Sequence, residues 1–271
     1  TKSFNGDGTE SNPFRSISRA IYMSSPSASD NVNIYVDEGI YSFGTTGDYF
    51  PIAIPSYVNV LGAGRELTII DAEQSARVIN FINSSSSSLS KLTITGGNTA
   101  NSLNNQTYDA GISILNSSPS ILEVDIIANT AGWVAGGVGI RNNSSPFFYE
   151  VNIIGNSSLQ SGGGIHCYDS SAIFENVVIS GNTAEHSGGG FDMYGCTNLE
   201  FINVEVSNNQ SMFSGGGIHL NNYDLAAGVS TFNNVLVYGN SAGHSGGAFQ
   251  ITNGDISVSY THLTLPTKRI V

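Results

Sequence analysis

Basic side chains are scarce in this sequence. Nine Lys and Arg stand against 21 Asp and Glu, a formal net charge of -12. Such a surface repels phosphate backbones and excludes nucleic acid as a partner. It also repels acidic polysaccharides unless a local basic groove or a bound cation intervenes. No run of 18 apolar residues occurs, so no segment reads as a membrane span. There are two cysteines, in no CxxC pair, and no His/Cys cluster has zinc spacing. Long runs of helix formers are missing too. What remains is 39% hydrophobic, enough for a core and too much for a disordered polar chain. Val, Ile, Phe and Tyr come in short bursts between Gly, Asn and Ser clusters, the pattern of many short strands joined by turns.

Those bursts repeat. Segments align on Asn98, Asn129, Asn156, Asn182, Asn209 and Asn240, at spacings of 31, 27, 26, 27 and 31. The longer spacings fit loop insertions at 101–108 and 223–228. Eight residues before the last five asparagines lie Ile121, Phe148, Phe174, Phe201 and Phe232; five before lie Val124, Val151, Val177, Val204 and Val235. A glycine turn follows each asparagine, as in Gly188-Gly189-Gly190, and then a second strand opens at Ile165, Phe191, Ile218 or Phe249. A unit of about 26 residues cannot bury its apolar side alone, but stacked copies can. Parallel pairing of coils then sets like residues above like, with an inner ladder of Asn129, Asn156, Asn182, Asn209 and Asn240 bonding amide to amide. The expected fold is all-β, a right-handed single-stranded parallel β-helix. Cys167 and Cys196 occupy different repeat positions, which predicts two buried, unbridged thiols.

The ends depart from the repeat. Residues 1–30 read as an N-terminal cap, with a short amphipathic helix started by Asn12 and Pro13 covering the open end of the solenoid. Residues 31–257 read as the β-helix. Residues 258–271 (VSYTHLTLPTKRIV) resemble translated sequencing-adapter read-through, an artefact seen at the ends of metagenomic contigs, and are set aside as a non-native tail.

DGTESNPFRSISRAI, IYVDEGIY and VLGAGRELTIIDAE together resemble the opening of bacterial secreted β-helix proteins of the pectin-lyase-like superfamily. FENVVISGNTAEHSGGGF is similar to the repeat of chlamydial polymorphic outer-membrane proteins, although Asn176 falls one position early for their FxxN signature. The resemblance spans about residues 5–257. It implies the fold and an extracellular or cell-surface location, and leaves activity open among lyases, glycosidases, adhesins and surface proteins.

Lyases of the superfamily use an Arg or Lys base, often with Ca²⁺. Here only Lys91 and Arg141 fall in the repeat body, and no clear Ca²⁺ site or other metal site is seen. Asp169 and Asp192 could supply a glycosidase carboxyl pair, but nothing singles them out. One outward column is read two residues past the glycine turn, as Arg141, His166, Asp192, His219 and Gln250. His166, Asp192 and His219 are the acid–base candidates, and Arg141 and Gln250 ligand-binding candidates, against a bland reading as a solvated charge ladder. Trp133, the single tryptophan, reads as a packed turn residue or a sugar-stacking platform. Tyr108 and Tyr223 in the insertions are lesser candidates. His186 and His244 sit two coils apart, about 9.6 Å by strand spacing, too far to share a metal.

The function expected is binding or adhesion to carbohydrate or another extracellular polymer, with no evident cofactor. The competing readings are a polysaccharide lyase or glycoside hydrolase, and a purely structural stalk.

Overall fold

The computed structural model describes residues 6–100, 108–222, 228–253 and 256–263. Successive passes of the chain add strands to three parallel sheets, and the stack of passes is a right-handed parallel β-helix. One ladder, here the site sheet, has eight strands, from Ile52–Ala53 to Phe249–Asn253. A second, long sheet carries paired segments such as Phe147–Tyr149 and Asn152–Ile154, and a narrow corner sheet runs from Thr130–Ala131 to Ser241–Ala242.

Register follows from burial. In Val32–Val36, Val58–Gly62 and Thr68–Asp71 alternate residues point inward, and in-register pairing stacks them. The largest inner stack is Phe148, Phe174, Phe201 and Phe232, with successive ring centroids 4.9, 5.1 and 4.6 Å apart. All four are fully buried. Each contributes about 1.5–3 kcal/mol by leaving water. Phe191 closes the stack edge-on, 5.3 Å from Phe174.

The asparagine ladder lies at the corner after the long sheet. Asn182 donates from Nδ2 to Asn209 Oδ1 at 3.0 Å and to the Ile153 carbonyl at 2.9 Å. Its Oδ1 accepts from the Asn156 backbone N–H at 2.9 Å and from Asn156 Nδ2 at 3.1 Å. The same pattern links Asn129, Asn156, Asn209 and Asn240. Asn98 does not join it. Gly97 occupies the ladder position, donating its N–H to Asn129 Oδ1, while Asn98 pairs with Thr130 one step outward. The glycine pair Gly96-Gly97 shifts this first coil by one residue relative to the alignment on asparagine.

Three further expectations are corrected. The helix spans Ile17–Met23 and is capped by Ser16, whose side chain accepts from the Arg19 N–H; Asn12 instead closes a turn with Thr9, upstream of the helix. The serine wins because it stands in extended backbone directly before the apolar pair Ile17 and Ile21, which pack on the core. Second, Cys167 and Cys196 are disulfide-bonded, with Cα atoms 6.3 Å apart. Cys167 points inward from its strand. On the next coil Gly195, at a φ of 66°, turns the chain so that Cys196 also faces the core. Different repeat positions therefore reach one depth. Third, the outward column is not solvated, as its burial below makes plain. At the C-terminal end the strand Ile256–Leu263 pairs in parallel with Ser230–Tyr238, so the ladder register runs into the stretch read as a tail.

Candidate functional site

The outer face of the site sheet carries two columns. Register places Ser113, Gly139, His166, Asp192, His219 and Gln250 in the first. Leu115, Arg141, Tyr168, Tyr194 and Asn221 form the second. Arg141 thus belongs one column over from its expected place. Gly139, when counted with Gly136 and Gly137 as part of the turn, displaces the reading by two residues.

The corner before each strand decides what the first column can hold. Its first residue adopts a left-handed backbone in every coil from Asp109 through Ala135, Gly162, Gly188 and Gly215 to Gly246. A Cβ on Gly188 would come within 2.5 Å of Asp192 Cβ, and one on Gly215 within 2.6 Å of His219 Cβ. Corner and column residues, four apart in sequence, compete for one space. Where the corner has a side chain, at Asp109 and Ala135, the column residue is small, Ser113 and Gly139. The Asp109 carboxylate lies where a Gly139 side chain would otherwise stand. Asp109 therefore completes the column from the neighbouring coil.

The result is a row of alternating charge capacity. Arg141 donates to Asp109 Oδ2 in an ion pair, and Arg77 donates from Nε to the Asp109 carbonyl at 2.7 Å. Next in the row, His166 Nε2 lies 3.4 Å from Asp192 Oδ2, and His219 Nδ1 lies 2.7 Å from Asp192 Oδ1. Asp109 is fully buried, and His166 and Asp192 are 9% and 6% exposed. The tightness of the row, with Asp109 folded in from the side, is why it is not a solvated ladder. Two atoms in it, Asp109 Oδ1 and His166 Nδ1, are buried without a hydrogen-bond partner among the described residues.

Burial pushes the His166 imidazole below its ordinary pKa of 6.5; Asp192 and Asp109 oppose the shift, and Arg141 adds to it. The folded protein thus holds this ring neutral where the unfolded chain begins to protonate. The corresponding stability is present above the unfolded pKa and is lost as pH falls through it toward the lower folded value. We expect His166→Gln to flatten that acid-side decline in the urea midpoint. An unchanged decline would count against the assignment.

Over the row lies a cleft of about 650 Å³. His166 and Asp192 form its floor. Its walls are aromatic: Trp133, 41% exposed, Tyr108, and the stacked pair Tyr168 and Tyr194, whose rings are 5.7 Å apart and nearly parallel. The Arg141 guanidinium lies over the Tyr108 ring at 4.7 Å. Asn142, Gln160 and Ser161 add neutral polar groups. Among the residues singled out in the sequence, His166, Asp192, Arg141, Trp133, Tyr108 and His186 converge here. His219 supports Asp192 from the next coil, and Gln250, one coil further, does not line the cleft. Asp169 stands in the bend beyond Tyr168 and is not part of the lining. Tyr223 lies outside the described residues. His186 and His244 sandwich Phe213, at 5.0 and 5.1 Å. Asp109, Tyr168 and Tyr194 were not singled out from the sequence. The lone Gly139 in a column of polar side chains was the available signal for Asp109. Among the described residues no group of three or more His, Cys, Asp or Glu is arranged to hold a metal ion, and no helix is long and apolar enough to cross a membrane.

A family model described as "Protein of unknown function (DUF1565)" matches residues 3–262. No curated protein matches the chain. Among solved structures, a pectin methylesterase from Yersinia enterocolitica is similar at 11% identity and a TM-score of 0.48, over 82% of this chain and 79% of that one. A pectin methylesterase from carrot is similar at 11% identity and a TM-score of 0.47, over 97% and 83%. The A-module of an Azotobacter vinelandii mannuronan C-5 epimerase is similar at 13% identity and a TM-score of 0.30, over 97% of each chain.

Proposed function

We propose that this chain, which belongs to the DUF1565 family, binds an extracellular carbohydrate polymer in the cleft over its site sheet, as a binding or adhesion protein. One observation carries the reading: exposed aromatic faces wall a cleft whose floor is polar and whose rim includes the amides of Asn142 and Gln160 and the hydroxyl of Ser161. A pyranose ring presents apolar C–H faces to stack on such walls and hydroxyls at its edge to bond such groups. The columns repeat along the solenoid axis at about 4.8 Å, so the face suits an elongated ligand. The buried Cys167–Cys196 bridge supports an oxidising, extracytoplasmic compartment.

The single tryptophan is a built-in reporter, because Trp133 stands in the wall. Titration with a panel of oligosaccharides is expected to give a saturable change in its fluorescence with at least one of them. Trp133→Ala, followed by calorimetry, is expected to weaken that binding about tenfold, the scale of one lost aromatic stacking contact. If no carbohydrate produced either fluorescence change or heat, the reading would fall.

A second reading, carbohydrate cleavage, is favoured by the His166–Asp192–His219 array, which holds a neutral imidazole against a carboxylate. Release of new reducing ends from neutral or acidic polysaccharides, assayed with and without Ca²⁺, separates cleavage from binding alone.

A further inference from the structure

Resting on the carbohydrate reading, we infer that the cleft takes a neutral saccharide and discriminates against uronates. Arg141 is the one Lys or Arg among the residues that line it, and its guanidinium is already committed. It pairs with the Asp109 carboxylate and covers the Tyr108 ring. Arg77, on the far side of Asp109, is engaged by the Asp109 carbonyl and Asn80. Across the floor stands Asp192, held between two imidazoles. A carboxylate entering this space meets a guanidinium that is already neutralised and a carboxylate of like charge. It also leaves water without gaining a counter-ion, the costly way to bury a charge.

The uncharged polar groups of the lining point the same way. Asn142, Gln160 and Ser161 each offer groups that pair with a hydroxyl without charge. The acidity of the whole chain, at -12, lowers the local concentration of any polyanion still further.

The test is a Trp133 fluorescence titration of the full chain, at low ionic strength, with length-matched oligosaccharides. Neutral cello-, xylo- and manno-oligosaccharides are set against oligogalacturonate and oligomannuronate. At least one neutral ligand is expected to bind about tenfold or more tightly than either uronate, with an affinity insensitive to added salt. Asp109→Asn removes the counter-charge from Arg141 and is expected to shift the neutral-to-uronate ratio toward uronates by about tenfold. Because Asp109 is buried, the wild-type comparison stands as the deciding measurement whether or not that variant folds. Uronates binding the wild type as tightly as neutral sugars would overturn the inference and leave the carbohydrate reading in place. Failure of every sugar to bind would overturn both.

Discussion

Asn182→Ala is expected to lower the unfolding free energy by about 3–4 kcal/mol, read as a drop in the urea midpoint followed by circular dichroism. The side chain is fully buried at the middle of the ladder. Alanine deletes two donated and two accepted hydrogen bonds, to Asn209, Ile153 and Asn156. It leaves the Asn156 backbone N–H and the Ile153 carbonyl in the core without those partners. Each buried group left unpaired costs about 1–3 kcal/mol, and water cannot reach this corner to replace the amide. The matched control is Asn203→Ala. Asn203 also joins an asparagine row, bonding Asn176 and Asn234, but on the exposed side of a bend. There the loss is limited to a water-replaceable bond and to the preference of asparagine for a φ of 54°, about 1 kcal/mol. Equal shifts in the two variants would contradict the buried-ladder account.

Breaking the Cys167–Cys196 bridge is the second large effect. Its partners are 29 residues apart, and a closed loop of that size restricts the unfolded chain by about 3–4 kcal/mol. The double variant Cys167→Ala/Cys196→Ala, and the wild type unfolded under reductant, are expected to share one midpoint, lower than that of the oxidised protein by that amount. The bridge joins the coil of Tyr168 to the coil of Tyr194, so the loss falls on the part of the solenoid that walls the cleft. A reduced wild type as stable as the oxidised one would show that coil stacking alone already fixes this corner.

The inner faces were legible in the sequence because stacking constrains them most. Phe174 and Phe201 must sit at equal depth, so their spacing is conserved between coils of this one chain, and the asparagine corner is conserved with it. The His166–Asp192–His219 column was legible for the same reason, since three successive coils share one length of turn. Arg141 was misplaced where the turn changes to Val134-Ala135-Gly136-Gly137 and a further glycine follows. Asp109 was out of reach because its partner space belongs to another coil, at Gly139, beyond an insertion that breaks the count. The disulfide was missed because register compares positions along a coil, whereas a bridge depends on depth below the surface. The helix start was displaced to Asn12 because Asn-Pro and Ser-Ile both read as openings, and only docking against the core separates them.

The competition between corner and column has a consequence for how such a chain can change. A given spot on the outer face has two addresses in the sequence, one in its own strand and one at the corner of the coil before. A carboxylate can be delivered from either: Asp109 reaches from the coil before into the space that Gly139 leaves, whereas Asp192 stands in its own strand beside a corner reduced to Gly188. A paired exchange of two residues can therefore redraw the chemistry of the cleft while the ladders beneath keep their partners. In a stacked solenoid, function becomes editable one layer at a time, like type reset in a fixed frame.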